Sequence, residues 1–189
     1  RKRVIIFAVK NKLKINPSSF FNTIKKTHNL PDGNRKKNLK KYITVREAIF
    51  DLPQLKPGEG EECINNFKPY LNRYVKLLRE RNYKFLYNHK ARTHNRDDIA
   101  RYRILARNNW QLKDLEKNYP HLIHHDPKHF GNRYTVQNAN FPGKTIVSHL
   151  YKDGNLFIHP DYEQNRTFTV REAARIQSFD DDFEFVGPI

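Results

Sequence analysis

Cysteine occurs once in the 189 residues and methionine not at all. The lone Cys63 excludes an intrachain disulfide and fits a reducing cytoplasm. Absence of methionine, in a chain that does not begin with one, is expected of an excised segment or of one whose modified methionines carry no letter. Long apolar runs are missing too. The longest, from Val4 to Val9, falls far short of the roughly 20 residues that cross a bilayer, so no membrane is expected. No small-residue cleavage site follows that run, which rules out a secretory signal. Acid is scarce: 20 Asp+Glu stand against 36 Lys+Arg, a net charge of +16 and a pI near 9.9.

That surplus is the footprint of a polyanionic partner, because each phosphate neutralised releases counterions. It is concentrated in the first 41 residues, with thirteen Lys or Arg and one acid, Asp32. Charge alone leaves duplex DNA, RNA and anionic membranes open. Aromatic content of 13%, with 13 Phe and 10 Tyr, is too high for a disordered chain and is enough for one folded domain with some length to spare.

The sequence is expected to begin with a buried strand over 1–10, β-branched and aromatic at its centre. Loops punctuated by Asn16-Pro17 and Pro31-Asp-Gly-Asn34 then run to about 41, with a short helix near 20–26. Thr44-Val-Arg-Glu47 and Thr169-Val-Arg-Glu172 are both capping boxes, Thr-x-x-Glu, each opening a helix. The first helix should stop at Pro53 and the second near Phe179. A loop over 55–62 precedes a predicted helix over 67–82, with apolar residues three and four apart. Further helices are expected over 97–108 and 112–119. Short strands are expected over 133–136, 144–150 and 156–159, separated by turns at 141–143 and 152–155.

Two residue groups invite a chemical reading. Cys63 lies beside two acids, which suppress a thiolate, so a half-buried structural role is expected. His121, His124, His125 and His129 could tempt a metal assignment, but Pro120 and Pro127 break any helix there and no thiolate is near; no metal is expected.

The stretch Arg166-Thr-Phe-Thr-Val-Arg-Glu-Ala-Ala-Arg-Ile-Gln-Ser-Phe179 resembles the ninth conserved motif of the DNA cytosine-5 methyltransferases. Arg1-Lys-Arg3 ahead of Val4 to Val9 looks like their eighth motif. Thr44 to Pro53, Phe141 to His149, Lys152-Asp-Gly154 and Ile158-His-Pro-Asp161 are similar to further segments of that family. The middle, about 58–130, carries weak resemblance, as expected of a region that varies with the DNA sequence it reads. Asp180 departs from the pattern, which has Pro there.

The resemblance implies an α+β fold: a mixed target recognition domain plus one strand and one helix of a Rossmann-like methyltransferase domain. Its boundaries would be 1–13 for the terminal catalytic strand, 14–165 for the recognition domain and 166–189 for the helix leading back. It implies a catalytic role for Arg3, and less firmly Arg1, at the flipped base, where an always-charged guanidinium fork suits oxygen partners. Thr145 and Ile146 are implied at the DNA groove; read without the family, such a pair is more often plain sheet. Arg92, Asn95, Arg96, Arg133 and Tyr134 have the chemistry to read base edges or hold phosphate. Arg166, Thr169, Arg171, Glu172 and Arg175 are implied as domain-organising residues that cap and hold the recognition part against the catalytic one.

The family's Pro-Cys nucleophile, Glu-Asn-Val and glycine-rich cofactor turn are missing from these residues. The implied function is therefore target recognition within an enzyme that methylates C5 of a flipped cytosine. S-adenosylmethionine would be the cofactor of the full-length protein, bound by none of this part, and this part alone would be inactive. Duplex DNA would be the partner, alongside a functional companion restriction endonuclease, for a monomer in the bacterial cytoplasm near the nucleoid. Two rivals stand beside this reading: a non-enzymatic regulator with a borrowed recognition domain, and an RNA-binding module, for which no aromatic signature is present.

Overall fold

The computed structural model describes residues 8, 10–14, 16–29, 31, 33, 36–70, 72–79, 84–123 and 133–187. They belong to two compact units, 1–42 and 43–189. The strand expected over 1–10 lies outside the described residues except for Ala8 and Lys10.

In the first unit, helix α1 (Pro17–Thr23) opens on Asn16, whose side chain accepts from the Ser18 amide at 3.0 Å, with proline at the first helical position. Beyond it, His28 pairs with Lys40 in a single parallel bridge. Buried Asn29 closes the intervening loop. Its Nδ2 donates to the carbonyls of Lys36, Leu39 and Lys40 at 3.0–3.3 Å, and its Oδ1 accepts from the Lys36 amide at 2.8 Å.

The second unit begins with α2 (Val45–Ile49), whose capping box is complete: Thr44 Oγ1 accepts from the Glu47 amide and Glu47 Oε2 accepts from the Thr44 amide. Strands β1 (Gly60–Ile64) and β2 (Leu86–Lys90) pair antiparallel, Gly60 opposite Lys90 and Ile64 opposite Leu86. At Gly60, φ is +93° and a Cβ would lie 2.3 Å from the His89 carbonyl, so only glycine fits. Between the strands, α3 (Arg73–Leu78) starts where Asn72 Oδ1 caps the amides of Tyr74 and Val75. Helices α4 (Arg96–Asn108) and α5 (Leu112–Asn118) follow, then α6 (His149–Lys152) and α7 (Val170–Ile176).

Two apolar clusters hold these elements. Val45, Ile49, Leu86, Phe157 and Phe168 centre the first; Tyr102, Leu105, Leu112, Leu115 and Ile158 centre the second. Each fully buried aliphatic side chain contributes about 1.5–3 kcal/mol. Ile158 bridges Val136 on one side and Thr167 on the other. Successive side chains of an extended segment point to opposite faces, so Phe157 enters the first cluster and Ile158 the second. The 157–158 segment is the wall between them.

The architecture is a mixture of helix and strand with one two-stranded sheet among the described residues. Several expectations change. The helix predicted over 67–82 is confined to Arg73–Leu78, because Asn72 starts it late; Tyr70 stays exposed. The last three residues of the loop expected over 55–62 belong to β1. The strands expected over 133–136 and 156–159 reduce to single bridges, and 144–150 forms no strand but runs into α6. Among the described residues, no helix is long and apolar enough to cross a membrane.

Candidate nucleic-acid interface

Helix α7 is built around charge that water does not reach. Arg166 and Glu172 are both buried and meet in a bidentate pair, with Nη1 and Nη2 donating to the two carboxylate oxygens at 2.7 Å each. The remaining Arg166 donors reach the Leu55 carbonyl, the Thr167 carbonyl and Gln164 Oε1, so all five N–H groups have acceptors. Glu172 Oε2 also accepts from the Thr169 amide at 2.8 Å, which makes the capping box and the ion pair one structure. Burial would raise the Glu172 carboxyl, but Arg166's charge and hydrogen bonds outweigh it and hold the group at about 2.

Two imidazoles back this pair. His159 accepts from the Asp161 amide through Nδ1 and turns Nε2 toward Glu172 at 3.6 Å. Burial brings its pKa down to about 4, against the pull of Glu172, so this is a neutral ring beside a carboxylate. His89 Nε2 donates to the Pro53 carbonyl at 2.8 Å, leaving Nδ1 to accept from the Thr169 hydroxyl at 3.1 Å; burial lowers its pKa as well.

The other flank of α7 turns on Asp181. Arg175 donates to both its oxygens at 2.8 and 2.6 Å, Arg79 donates at 2.9 Å, and Arg171 lies 3.9 Å away. Burial would raise the Asp181 carboxyl, yet the Arg175 hydrogen bonds and charge, then Arg79, keep it below the usual range. Arg175 also reaches Asp51 at 2.5 Å; there burial prevails and the carboxyl is raised. Arg171 donates to the carbonyls of Tyr87, Asp180 and Phe183, tying α7 to β2 and to the segment after it. Every α7 residue singled out in the sequence is thus buried and bonded. Asp181, Asp51, Arg79, His159 and His89 were not foreseen. They lie far from their partners in sequence or off the helical repeat, and the signals were the family-like segments that hold Asp51 and His159 and the family pattern around 180–181.

The polar residues singled out for DNA stand elsewhere, around the turn 152–155. Arg92 donates to the Lys152 carbonyl at 3.1 Å, and Arg133 pairs with Asp153 at 3.6 Å. Arg133 Nε is buried with no partner among the described residues. Asn95 caps α4 through the Asp98 amide at 2.8 Å and donates to the Asp98 carboxylate at 2.9 Å, while Arg96 opens the helix and is exposed. Asp98 accepts in turn from Arg101 at 2.7 Å and from the Tyr134 hydroxyl at 3.2 Å. Contacts therefore close a ring from Arg92 through 152–153, Arg133, Tyr134 and Asp98 to Asn95. Tyr134 is buried in the second cluster, and burial, with Asp98, pushes its hydroxyl up to about 12; its place is beneath the ring.

The 152–155 turn is held rigidly. Gly154, at φ +69°, presses so near Thr167 that a Cβ would lie 2.7 Å from its hydroxyl. The Asn155 amide donates to Asp153, and its side chain accepts from the Tyr102 hydroxyl at 2.5 Å. Thr145 and Ile146 are on a separate segment, Thr145 exposed and Ile146 packed on the first cluster.

Arg1 and Arg3 lie outside the described residues, as do His124, His125 and His129. Among the described residues no group of three His, Cys, Asp or Glu could hold a metal. Cys63 is exposed on β1 and not half-buried, because that strand sets its polar face toward solvent.

A family model described as C-5 cytosine-specific DNA methylase matches residues 1–188. Type II methyltransferase M.Bpa9945I of Bacillus paralicheniformis is 35% identical over 197 residues, which cover 100% of this chain and 41% of that protein. Type II methyltransferase M.DdeI of Desulfomicrobium norvegicum is 31% identical over 148 residues, 77% of this chain and 35% of its own length. DNA (cytosine-5)-methyltransferase 3 of Arabidopsis thaliana is 29% identical over 157 residues, 78% of this chain and 11% of its own. The chain spans about two fifths or less of the length of these relatives.

Proposed function

Because the chain belongs to the C-5 cytosine-specific DNA methylase family, we propose that it is the target-recognising part of an enzyme that methylates C5 of a cytosine flipped out of duplex DNA. The observation that carries the proposal is that Arg92 and Arg133 both bond the tightly packed 152–155 turn, with Asn95 and Arg96 at the start of α4 a few residues from Arg92. Forked guanidinium and amide groups on a stiff support suit base edges and phosphates, since specificity needs donors whose geometry is settled before DNA arrives. Thr145 and Ile146 are proposed as a second contact, a hydroxyl and an apolar side chain against the groove.

In the whole enzyme a cysteine thiolate supplied by none of these residues would activate the extruded base to accept a methyl group at C5. S-adenosylmethionine supplies that methyl group. The described residues do not fit it: their sheet is antiparallel, and neither strand leads through a glycine-rich turn into a helix. They are assigned no part in holding it, and this part alone is proposed to be inert. Arg3, with Arg1, is proposed to face the flipped base from a strand of the Rossmann-like catalytic sheet. Residues 14–165 are proposed as the recognition domain, with 166–189 leading back to the catalytic one. There the buried α7 arginines, with Thr169 and Glu172, would hold the two together. The names of the bacterial relatives support a restriction-modification setting with a companion endonuclease; a monomer in the bacterial cytoplasm, near the nucleoid, completes the proposal.

The test is Arg133→Ala and Arg92→Ala in the full-length enzyme, with the methylated positions mapped on a plasmid library. Altered or relaxed target choice is expected from a residue that reads bases, and a uniform fall in methylation from one that holds phosphate. Wild-type rate and target choice in both variants would overturn the assignment.

A further inference from the structure

The net charge is divided very unevenly between the two units. Residues 1–42 hold 13 of the 36 Lys+Arg and one of the 20 Asp+Glu, a net of +12 out of +16, which leaves +4 for residues 43–189. The second unit also cancels much of its charge internally: Arg79, Arg101, Arg166, Arg171 and Arg175 are buried against Asp181, Asp98, Glu172 and Asp51. In the first unit the opposite holds. All nine lysines among its described residues are exposed, and none has an ion-pair partner among the described residues.

These lysines are arranged by the fold and are not scattered along a loose tail. The Asn29 clamp and the His28–Lys40 bridge close the loop. Bonds from the Asn29 side chain to the Lys36 backbone, with the bridge to Lys40, bring 36–40 beside the segment that directly follows Lys25 and Lys26. The choice of cation also differs between units. Ten of the thirteen Lys+Arg in residues 1–42 are lysine, a point charge that attracts phosphate from any direction. Arginine and asparagine, which read base edges through fixed forks, form the ring in the second.

We infer that the first unit is a sequence-independent contact surface for the phosphate backbone of duplex DNA. It supplies most of the salt-dependent affinity, while the second unit supplies the choice of sequence. This inference rests on the DNA-recognition reading above. A surface of this kind raises affinity for every duplex by the same factor and leaves the preference between duplexes untouched.

The experiment is equilibrium binding of the full-length enzyme to two duplexes across a series of salt concentrations, one carrying its methylated sequence and one of arbitrary sequence. The wild type is compared with K25Q/K26Q/K36Q/K37Q and, separately, with Arg133→Ala. Each lysine that neutralises one phosphate contributes about 0.9 to the slope of log affinity on log salt, so the fourfold variant should lose about 3 to 4 from that slope. Its affinities for the two duplexes should fall together, with their ratio unchanged, whereas Arg133→Ala should change the ratio. A slope that stays at the wild-type value, or a ratio that collapses in the lysine variant, overturns the inference. A wild type that prefers structured RNA or anionic vesicles to either duplex would instead sink the recognition reading itself.

Discussion

Glu172 serves three neighbours at once: it caps the Thr169 amide, takes both Nη groups of Arg166, and faces the neutral His159 ring. Replacing it with Gln keeps the shape and removes the charge, leaving a guanidinium buried without a counter-ion. Losing one partner of such a pair costs about 3–5 kcal/mol. Glu172→Gln should lower the urea midpoint accordingly, and a variant as stable as wild type would show that the pair adds little. Buried His159, and half-buried His94 edge-on to Tyr102, set an acid limit. Both sit at about 4, because the protein strips water from their rings, and in an unfolded chain they would take a proton near 6.5. Stability present above pH 6.5 is therefore lost as pH falls toward 4; Glu172 adds its own loss only as pH falls from 4.5 toward 2. Urea midpoints should already decline between pH 7 and 5, before an ordinary carboxylate titrates, and a flat profile there contradicts the account. At this scale the sequence disclosed the α7 arginines and Glu172. It did not disclose Asp181, which lies six residues beyond Arg175 around the end of the helix, or His159, which reaches Glu172 only because the 157–168 bridges fold it back.

At the scale of elements, the two copies of Thr-Val-Arg-Glu form an internal comparison. Both are complete capping boxes, but Thr44 serves only its own helix end, whereas the Thr169 hydroxyl also donates to buried His89. Thr44→Ala should cost about 1 kcal/mol. Thr169→Ala should cost about 1–3 kcal/mol more, since it leaves a buried imidazole nitrogen unmatched. Equal losses in chemical denaturation would show that His89 finds another donor. Capped helices were legible because the cap is written in four adjacent letters, α4 because its apolar repeat is long, and α5 because Pro120 ends it. The sheet was not. Residues 60–64 look polar because one face of β1 is solvated, and 144–150 look like a strand because Ile146 and Val147 are β-branched. No strand among the described residues pairs with that segment; hydrogen bonds from the Leu150 and Tyr151 amides to the Val147 and Ser148 carbonyls curl it into α6 instead.

For the molecule as a whole, charge pointed only to a polyanionic partner, whereas the motifs led to the family that the match over 1–188 shows. The ring proposed to read DNA was visible only as chemistry, in residue types near 92–96 and 133; the turn that Arg92 and Arg133 bond depends on Gly154, Asn155 and Tyr102, none of which the sequence singled out. In the full-length enzyme, Arg3→Ala should cut turnover more than DNA affinity, measured as kcat against Kd; unchanged turnover would remove Arg3 from the flipped base. The measurement that bears most directly on the central claim is bisulfite sequencing of DNA from cells expressing the uninterrupted gene. Unconverted cytosines at one short recurring sequence are the predicted result, and they would reveal the target as well as the reaction. Complete conversion, with the protein expressed and folded, would contradict the account and leave a DNA-binding protein that borrowed a recognition domain.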